Sequence, residues 1–413
     1  MPFRKPKHAA KREGRCLVPC GAAVACACVA ALMAWLSRRG EARLSADAER
    51  AARGMELLAA LLAAGAEAAA LEVRPSARGG VGLFTTRAAA RGELLLSLPS
   101  RLMINASRAH LWLLAEAGAP SSALAQLYLR SLPHLCPQNL PARAAADAAA
   151  AAASLHAPLV RRLAAEAAEL PSGARGVWAQ CTALSRAFEG QRLEPLLDLA
   201  NYAPVPSCEQ AYRADAHQLL AAAPLRAGEE LTIEYVQPSS RALLLLTFGI
   251  DATLAPAAAF GARLPAARPA EGCERAPPWL ALHLLPSAAL DVPRLAGALR
   301  CVRLGLYSAA EAQLALASDH LAPPLGRTRA PAPVLRKDRQ LYATLRQGCA
   351  SAIPAHLLAQ QPRLFAAASA EVAAALRDEA SALQQCARLM RAATRAIDAA
   401  LEALGEGTPL REG

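Results

Sequence analysis

The sequence contains eleven cysteines but lacks the spacing that a metal site needs. No C-x-x-C pair occurs, which excludes the common structural zinc motifs. Outside the N-terminal segment the cysteines are scattered, so the chain is also unlike a small disulfide scaffold. We predict that these seven are buried thiols: Cys136, Cys181, Cys208, Cys273, Cys301, Cys349 and Cys386. The sequence therefore gives no reason to expect a metal cofactor.

Aromatic residues are scarce, at 4% of the chain, and no basic patch with interleaved aromatics occurs. The formal net charge of +11 is typical of a nucleic-acid-binding protein, but the charge is not spread over the whole chain. Residues 1–43 hold nine basic and two acidic residues, so they carry most of this charge. The rest of the chain is only mildly basic, and we do not expect nucleic acid as a partner.

The N-terminus has the features of a targeting or anchoring segment. A basic leader precedes CLVPCGAAVACACVAALMAWL, an uncharged stretch at residues 16–36. This length can span a bilayer as a helix, although Pro19 and Gly21 weaken its first turn. A cleaved signal peptide fits as well, whereas Trp35 followed by two arginines favours an uncleaved anchor. We therefore expect a protein that is anchored in a membrane by residues 16–36 or targeted to an organelle such as a plastid.

Changes of pattern along the chain predict an α+β fold. With 413 residues and 54% hydrophobic content, the chain can bury a large core and has room for two globular domains. The predicted segments are an N-terminal helix over 44–70 with Gly65 as a stop, strands over 71–105, helices over about 106–192, strands and turns over 193–250 that end in a helix at SSRALLLLTFGI, a Pro/Ala-rich linker over 251–279 and a helical domain over 280–405.

One short stretch, EPLLDLANYAP at residues 194–204, differs from its surroundings. It places Asp198, Asn201 and Tyr202 directly after a run that is apolar enough for a buried strand. Asp and Asn side chains are costly to bury without partners. A polar break of this kind is either a turn that closes a strand or a functional site. The residues alone leave both interpretations open.

Four motifs occur in an order that resembles a known family. They are GVGLFTT (Gly80–Thr86), LSRAF (Leu184–Phe188), DLANY (Asp198–Tyr202) and AGEELTIEYV (Ala227–Val236). These motifs resemble those of SET domains in the Rubisco large-subunit lysine methyltransferase family and the related actin-histidine methyltransferase. The likeness covers residues 71–250, and residues 280–405 resemble that family's C-terminal substrate-binding domain more loosely. The resemblance implies a SET β-fold split by a helical insertion and followed by an all-helical C-terminal domain.

The resemblance implies methyl transfer from S-adenosylmethionine to a nitrogen of a protein substrate, with lysine expected before histidine. In-line displacement requires two collinear reactants and an unprotonated amine. A lysine amine, with an ordinary pKa near ~10.4, would lose its proton more easily in a poorly hydrated channel beside a cationic donor. Two alternatives remain open. One is a catalytically inactive SET fold that binds proteins, and the other is a membrane-tethered helical scaffold.

The resemblance also implies which residues would bind the donor. Gly80 and Gly82 would allow close approach of the backbone, and Gly79 and Val81 would complete that loop. The other donor-binding positions would be Arg186 at the carboxylate, Asn201 and Tyr202 at the amino-acid part and Phe248 at the adenine side. Each has a structural alternative, such as a hairpin turn for the glycines, a solvated helix arginine or simple packing of the phenylalanine.

The implied catalytic residue is Tyr235, whose hydroxyl would face the methyl group and the incoming nitrogen, although a strand tyrosine is more often a core residue. The implied substrate-binding residues are Arg186, Asp198, Gly190 and Tyr235. Asp198 would face either the substrate channel or a structural backbone N–H. Tyr202 stands where the family has His, and this change bears on donor binding. Val236 stands where the family has Gly, and this change bears on the width of the substrate channel.

Overall fold

In the computed structural model, the described residues are 45–252, 257–260, 280–282, 287, 289–306, 331–352 and 367–404, with short gaps in the first range at 69, 106–107, 135, 137–138, 144, 153, 155, 189–191, 214 and 236–239. The proposed anchor at 16–36, Gly190 and Val236 lie outside them. The chain divides into two compact units, Met1–Glu49 and Arg50–Gly413. Of the first unit only residues 45–49 are described, and they are helical. Within the described ranges, no helix is long and apolar enough to cross a membrane.

The described residues form α-helices and short strands in alternating groups. The helices are 45–63 (α1), Ala109–Gly118 (α2), Ala123–Ser131 (α3), Ala145–Ala152 (α4), Ala157–Ala168 (α5), Ala174–Arg186 (α6), Arg241–Phe248 (α7), Val292–Leu306 (α8), Ala332–Ala352 (α9) and Ala370–Ala403 (α10). The strands are Glu67–Ala68 (β1), Leu71–Pro75 (β2), Val81–Thr85 (β3), Leu94–Pro99 (β4), Ile104–Asn105 (β5), Ala187–Phe188 (β6), Arg192–Leu193 (β7), Asn201–Tyr202 (β8), Cys208–Tyr212 (β9), Ala216–Ala221 (β10), Glu230–Ile233 (β11), Ala258–Phe260 (β12) and Leu280–Leu282 (β13).

The strands before and after the helical insertion share two four-stranded sheets, with orders β1-β4-β10-β9 and β2-β3-β11-β8. Strand β4 pairs with β10 so that Leu96 lies opposite Leu219, and β3 pairs with β11 so that Leu83 lies opposite Leu231. These four leucines are fully buried. The described pairings are antiparallel except for β8 with β11, which run parallel. Neither half of the β unit can therefore complete a sheet alone.

Two similar turns support this arrangement. Gly92 and Gly228 have φ angles of +78° and +80°, a left-handed conformation that glycine adopts at low cost. In each turn the next glutamate accepts a hydrogen bond from a backbone N–H three residues earlier, so that Glu93 caps Ala90 and Glu229 caps Arg226. The two β segments therefore share the same strand–turn–strand pattern.

The helical parts have cores of their own. Helix α10 packs along α9, with Leu345, Leu383 and Met390 buried between helices of the C-terminal region. Its N-terminal part contributes Leu376 to another cluster, with Leu245 of α7. Helix α10 therefore belongs to both the C-terminal core and the core beside the β unit.

The predicted α+β architecture is confirmed, but some boundaries differ. The first helix ends at residue 63 and not at 70, with Gly65 at a φ of +97° behind it, and residues 67–68 pair with β4. The insertion's last helix ends at Arg186, before the short strands β6 and β7. Strands β12 and β13 pair between the predicted linker and the predicted helical domain. Strands of two or three residues are too short to produce a periodic pattern, so the sequence could not reveal them.

The prediction that the scattered cysteines are buried thiols is wrong for four of them. Cys136 is disulfide-bonded to Cys181, and Cys349 is disulfide-bonded to Cys386. The partners are 45 and 37 residues apart in the sequence, and the folding of the chain brings their Cα atoms within 5.8 and 6.4 Å. Cys208 is a buried free thiol, as predicted.

Candidate active site

A cavity of about 580 Å³ lies where the insertion meets the second half of the β unit. Its walls come from the end of α6, β6, the 3-10 turn Leu197–Leu199, β9, the segment after β11 and the end of α7. Four residues that the sequence analysis singled out line this cavity: Arg186, Asp198, Tyr235 and Phe248. They come from three separate motifs and a helix, which the chain's topology brings together.

Arg186 and Asp198 form a partly buried ion pair in the cavity wall. Arg186 ends α6, and its Nη1 donates to the backbone oxygen of Asp198 at 2.7 Å and to Oδ2 at 3.3 Å. The Arg186 side chain is 17% exposed, so it is not a solvated helix arginine. Asp198 lies in the 3-10 turn after Leu196, which has a φ of +75°. The turn thus directs both the carbonyl and the carboxylate of Asp198 toward the end of α6.

Tyr128 of α3 adds a third polar group to this ion pair, and none of the sequence motifs includes it. Its hydroxyl donates to Asp198 Oδ2 at 2.9 Å. The other carboxylate oxygen, Oδ1, is buried and has no hydrogen-bond partner among the described residues. Burial raises the pKa of Asp198, while the Arg186 charge and the Tyr128 hydrogen bond act against that rise. Burial, with Asp198 nearby, also raises the pKa of Tyr128 well above its usual value.

Tyr235 is held between two aromatic rings. The Tyr202 ring lies edge-on to it with 5.8 Å between centroids, and the Phe248 ring is 4.6 Å away. Burial raises the pKa of Tyr235 to about 12, although the Arg186 charge lowers it. The hydroxyl therefore stays protonated at neutral pH, where it can both donate and accept a hydrogen bond.

The glycine loop lies on the other side of strand β8. Gly79 and Gly80 have φ angles of +101° and +68°, which side chains rarely adopt. A Cβ atom added to Gly82 would lie 2.9 Å from Asn201 Nδ2 and even closer to the Glu230 carboxylate. The absence of a side chain at Gly82 is therefore required by the packing of the protein itself.

Asn201 connects this loop to the second β half. Its Nδ2 donates to the Val81 carbonyl at 3.1 Å and to Glu230 Oε1 at 2.7 Å. Both amide hydrogens are thus used within the protein, while Oδ1 has no hydrogen-bond partner among the described residues. The contact that the sequence predicts between Asn201 and a ligand can therefore be made only by this oxygen.

Glu230 gathers further polar groups at the loop. It accepts from Ser76 Oγ at 2.7 Å, and Arg78 Nε lies 3.3 Å from its other oxygen. Arg78 also reaches the Tyr202 carbonyl, at 3.4 Å. Neither Glu230 nor Arg78 was singled out from the sequence, although Arg78 directly precedes the glycine run and Glu230 lies in the GEE motif.

The two groups of residues lie on opposite sides of strand β8, and the strand contributes one residue to each group. Successive side chains of a strand point to opposite faces. Accordingly, the Asn201 side chain meets the glycine loop, whereas the Tyr202 ring packs on Tyr235 beside the cavity. The structure therefore brings the predicted residues into two adjoining clusters and not into one.

A buried contact between a histidine and a carboxylate also supports the cavity wall. The imidazole of His217 contacts the Glu194 carboxylate, and neither side chain is exposed. Tyr212 stacks on the His217 ring with 4.0 Å between centroids, and Phe188 meets it edge-on. Because Tyr212 and Phe188 line the cavity, this pair fixes part of its wall. Elsewhere in the described part of the chain, as here, no three His, Cys, Asp or Glu side chains converge as a metal site.

Comparison with known proteins finds similarity among solved structures. No protein-family model and no curated protein matches the chain. The chain is similar to the SET domain of LSMT bound to lysine and AdoHcy, with 18% identity, 86% of this chain and 96% of that chain covered and a TM-score of 0.46. It is also similar to Rubisco LSMT bound to AdoMet, with 17% identity, 86% and 97% covered and a TM-score of 0.45. At this level of similarity, an activity must be argued from the side chains of the chain itself.

Proposed function

We propose that the chain is an S-adenosylmethionine-dependent protein methyltransferase of the SET type, which transfers a methyl group to a lysine side chain. One observation carries this proposal: the four motifs, distant in sequence, contact one another. The glycine loop contacts Asn201 through Val81, and Arg186 of LSRAF contacts Asp198 of DLANY. Tyr235, at the end of the fourth motif, contacts Tyr202 of DLANY. A fold without a shared site would not need these three contacts.

The loop side of β8 suits the amino-acid part of the donor. That part carries a carboxylate and an ammonium group, which need a cation and hydrogen-bond acceptors. Arg78 is 47% exposed, and its five N–H groups exceed the two that Tyr202 and Glu230 use. Asn201 Oδ1 is an available acceptor, and Gly79 and Gly80 contribute a stretch of loop at positive φ that has no side chains of its own. We therefore assign donor binding to the glycine loop, Arg78 and Asn201, with Tyr202 acting through its backbone.

The cavity side of β8 suits the target amine. When bound, S-adenosylmethionine supplies an electrophilic methyl group next to a positive sulfur. The amine lone pair would form the new N–C bond, and the electrons of the C–S bond would pass to sulfur. Tyr235 would orient the nitrogen through its neutral hydroxyl, and the wall of aromatic rings would exclude water. Asp198 would stabilise positive charge on the nitrogen. The helical region at 280–405 would contact the rest of the protein substrate.

Equilibrium binding and product formation test this function. Titration calorimetry of the full-length chain with S-adenosylmethionine should give saturable one-site binding. Peptide libraries that contain lysine, histidine or arginine should then be offered with radiolabelled donor. We expect label on lysine peptides, and label on histidine peptides alone would move the target to imidazole. Donor binding without any transfer would favour an inactive binding module, and the absence of donor binding would refute the proposal.

A further inference from the structure

Tyr128 is a buried tyrosine of the helical insertion with a polar contact in the candidate site. It lies on α3, and its side chain is fully buried. Its hydroxyl crosses from the insertion to the β unit and donates to Asp198 Oδ2 at 2.9 Å. Because a buried hydroxyl needs a partner, this bond fixes the orientation of both side chains.

The contacts of Asp198 are divided unevenly between its oxygens. Oδ2 accepts from Tyr128 and lies 3.3 Å from Arg186 Nη1, and the backbone oxygen accepts from Arg186 as well. Oδ1 is buried without a partner among the described residues, in a side chain that is 1% exposed and lines the cavity. An unpaired buried carboxylate oxygen is costly, so its presence points to a donor that arrives with a ligand.

We propose that Tyr128 is a positioning residue that holds Asp198 so that Oδ1 accepts an N–H from the target amine. This inference rests on the proposed function and deepens it, because it names a residue outside the four motifs. Tyr128 anchors one oxygen and leaves the other without a partner among the described residues. Without the Tyr128 hydroxyl, the carboxylate could rotate, and Arg186 could take both oxygens as a fork.

The charges around Asp198 determine the direction of the expected pH effect. The groups that face it are Arg186 from α6, Tyr128 from α3, Glu194 after β7 and Tyr235 after β11. Burial and Glu194 raise the pKa of Asp198, whereas Arg186 and the Tyr128 hydrogen bond lower it. Removing the Tyr128 hydroxyl therefore raises this pKa further. The ionised form, which accepts the amine, would then need a higher pH.

The test uses the full-length chain with ¹³C-labelled aspartate carboxyl groups and the variants Tyr128→Phe and Tyr342→Phe. Asp198→Asn assigns the Asp198 NMR signal. Tyr342 is the matched control, since it is also buried but lies beside Arg303 and Asp338 in the C-terminal region. We expect the Asp198 titration midpoint to rise by about one pH unit in Tyr128→Phe, as expected for a lost hydrogen bond to a charged group. Tyr342→Phe should leave it unchanged.

A second measurement uses n-butylamine as a mimic of the lysine side chain. Its addition should shift the Asp198 signal in the wild type, and Tyr128→Phe should weaken that binding about tenfold at neutral pH. In the transfer assay, the same variant should raise KM for the peptide and move the acid limb of kcat/KM upward, with donor affinity unchanged. An unchanged midpoint or equal amine affinity in Tyr128→Phe would overturn the positioning role. The titration midpoint and the amine affinity do not depend on methyl transfer. Failure of the proposed function would be seen separately, as an absence of donor binding in the wild type.

Discussion

The ring of Tyr202 lies edge-on to the ring of Tyr235, with 5.8 Å between centroids and 61° between planes. Tyr202 occupies a position where the family whose motifs this chain resembles has a histidine. Its side chain is buried beside the cavity, whereas its carbonyl accepts from Arg78 on the loop side. A tyrosine here therefore changes the aromatic wall of the proposed target site, and it leaves in place the backbone groups that would meet the donor.

Removing the Tyr235 hydroxyl should slow methyl transfer. Tyr235→Phe keeps the ring contacts with Tyr202 and Phe248 but loses the polar group at the proposed reacting centre. We expect transfer to fall by about tenfold or more, since such groups contribute a few kcal/mol to the transition state. Single-turnover kinetics would measure the change, while calorimetry should find donor affinity nearly unaltered. Wild-type turnover in this variant would remove Tyr235 from the catalytic role.

Asn201 should contribute to donor binding more than the side chain of Tyr202 does. Asn201→Ala is expected to weaken binding of S-adenosylmethionine by about 1–3 kcal/mol, because Oδ1 is lost and Glu230 loses a partner. Tyr202→His should change the affinity by less. Calorimetry on the wild type and the two variants measures these donor affinities. If the wild type does not bind and Tyr202→His does, the tyrosine has disabled the donor site.

A matched control separates donor binding from stability in that experiment. Asn139 is another buried amide, whose Nδ2 holds the Cys181 and Thr247 carbonyls at 2.9 and 3.1 Å. Asn139→Ala should lower the melting temperature to a similar extent and leave donor affinity intact. Equal losses of affinity in Asn139→Ala and Asn201→Ala would mean that the effect is unfolding and not a lost contact.

The buried tyrosines predict an alkaline limit to stability. The pKa values of Tyr235 and Tyr342 are both raised to about 12, because burial disfavours the phenolate. An unfolded chain ionises near ~10, so this stabilisation is complete below that pH and disappears as the pH rises toward 12. Denaturant unfolding at several pH values should show the free energy of unfolding falling over this window. In Tyr342→Phe the fall should be shallower, and an identical slope would contradict the assignment.

The two disulfides and the uncharged segment at 16–36 lead to a joint proposal about the compartment. Disulfides persist where the environment is oxidising, which agrees with a chain that is anchored in or directed through a membrane. Full-length protein should stay with membranes after a carbonate wash, with a mature N-terminus before Cys16. Thiol alkylation without reductant should leave the four paired cysteines unmodified. Soluble protein that starts beyond Leu36 would indicate a cleaved targeting peptide.

Much of the fold could be predicted because its signals are local. Helix α7 is capped at its N-terminus by Ser240, whose hydroxyl accepts from the Leu243 N–H, and at its C-terminus by Gly249 with a φ of +71°. The serine at the start and the glycine at the end can both be recognised from the residues SSRALLLLTFG alone. The disulfides and the strands of two residues depend on contacts between distant segments, so no local pattern indicates them.

The candidate site also contains residues that local sequence motifs identify and residues that they do not. Tyr235, Asp198 and Asn201 lie in motifs with an order that can be recognised, whereas Tyr128 lies in ALAQLYLRS, an amphipathic helix in which a tyrosine indicates only a core position. Its hydroxyl acquires a partner only when α3 meets the turn that carries Asp198. The division of the predicted donor residues between two faces of β8 also depended on strand register, which the sequence did not define.

The pairing of β3 with β11 and β4 with β10 has a consequence during synthesis. A ribosome adds about 5–20 residues per second, so VGLFT and LLLSLP emerge several seconds before their partner strands exist. The helical insertion, with its local contacts, can form meanwhile. During that interval the early strands have exposed edges, which are open to pairing with another nascent chain. Slower translation through the insertion would lengthen the exposure, so the yield of folded protein depends on translation speed between residues 106 and 216.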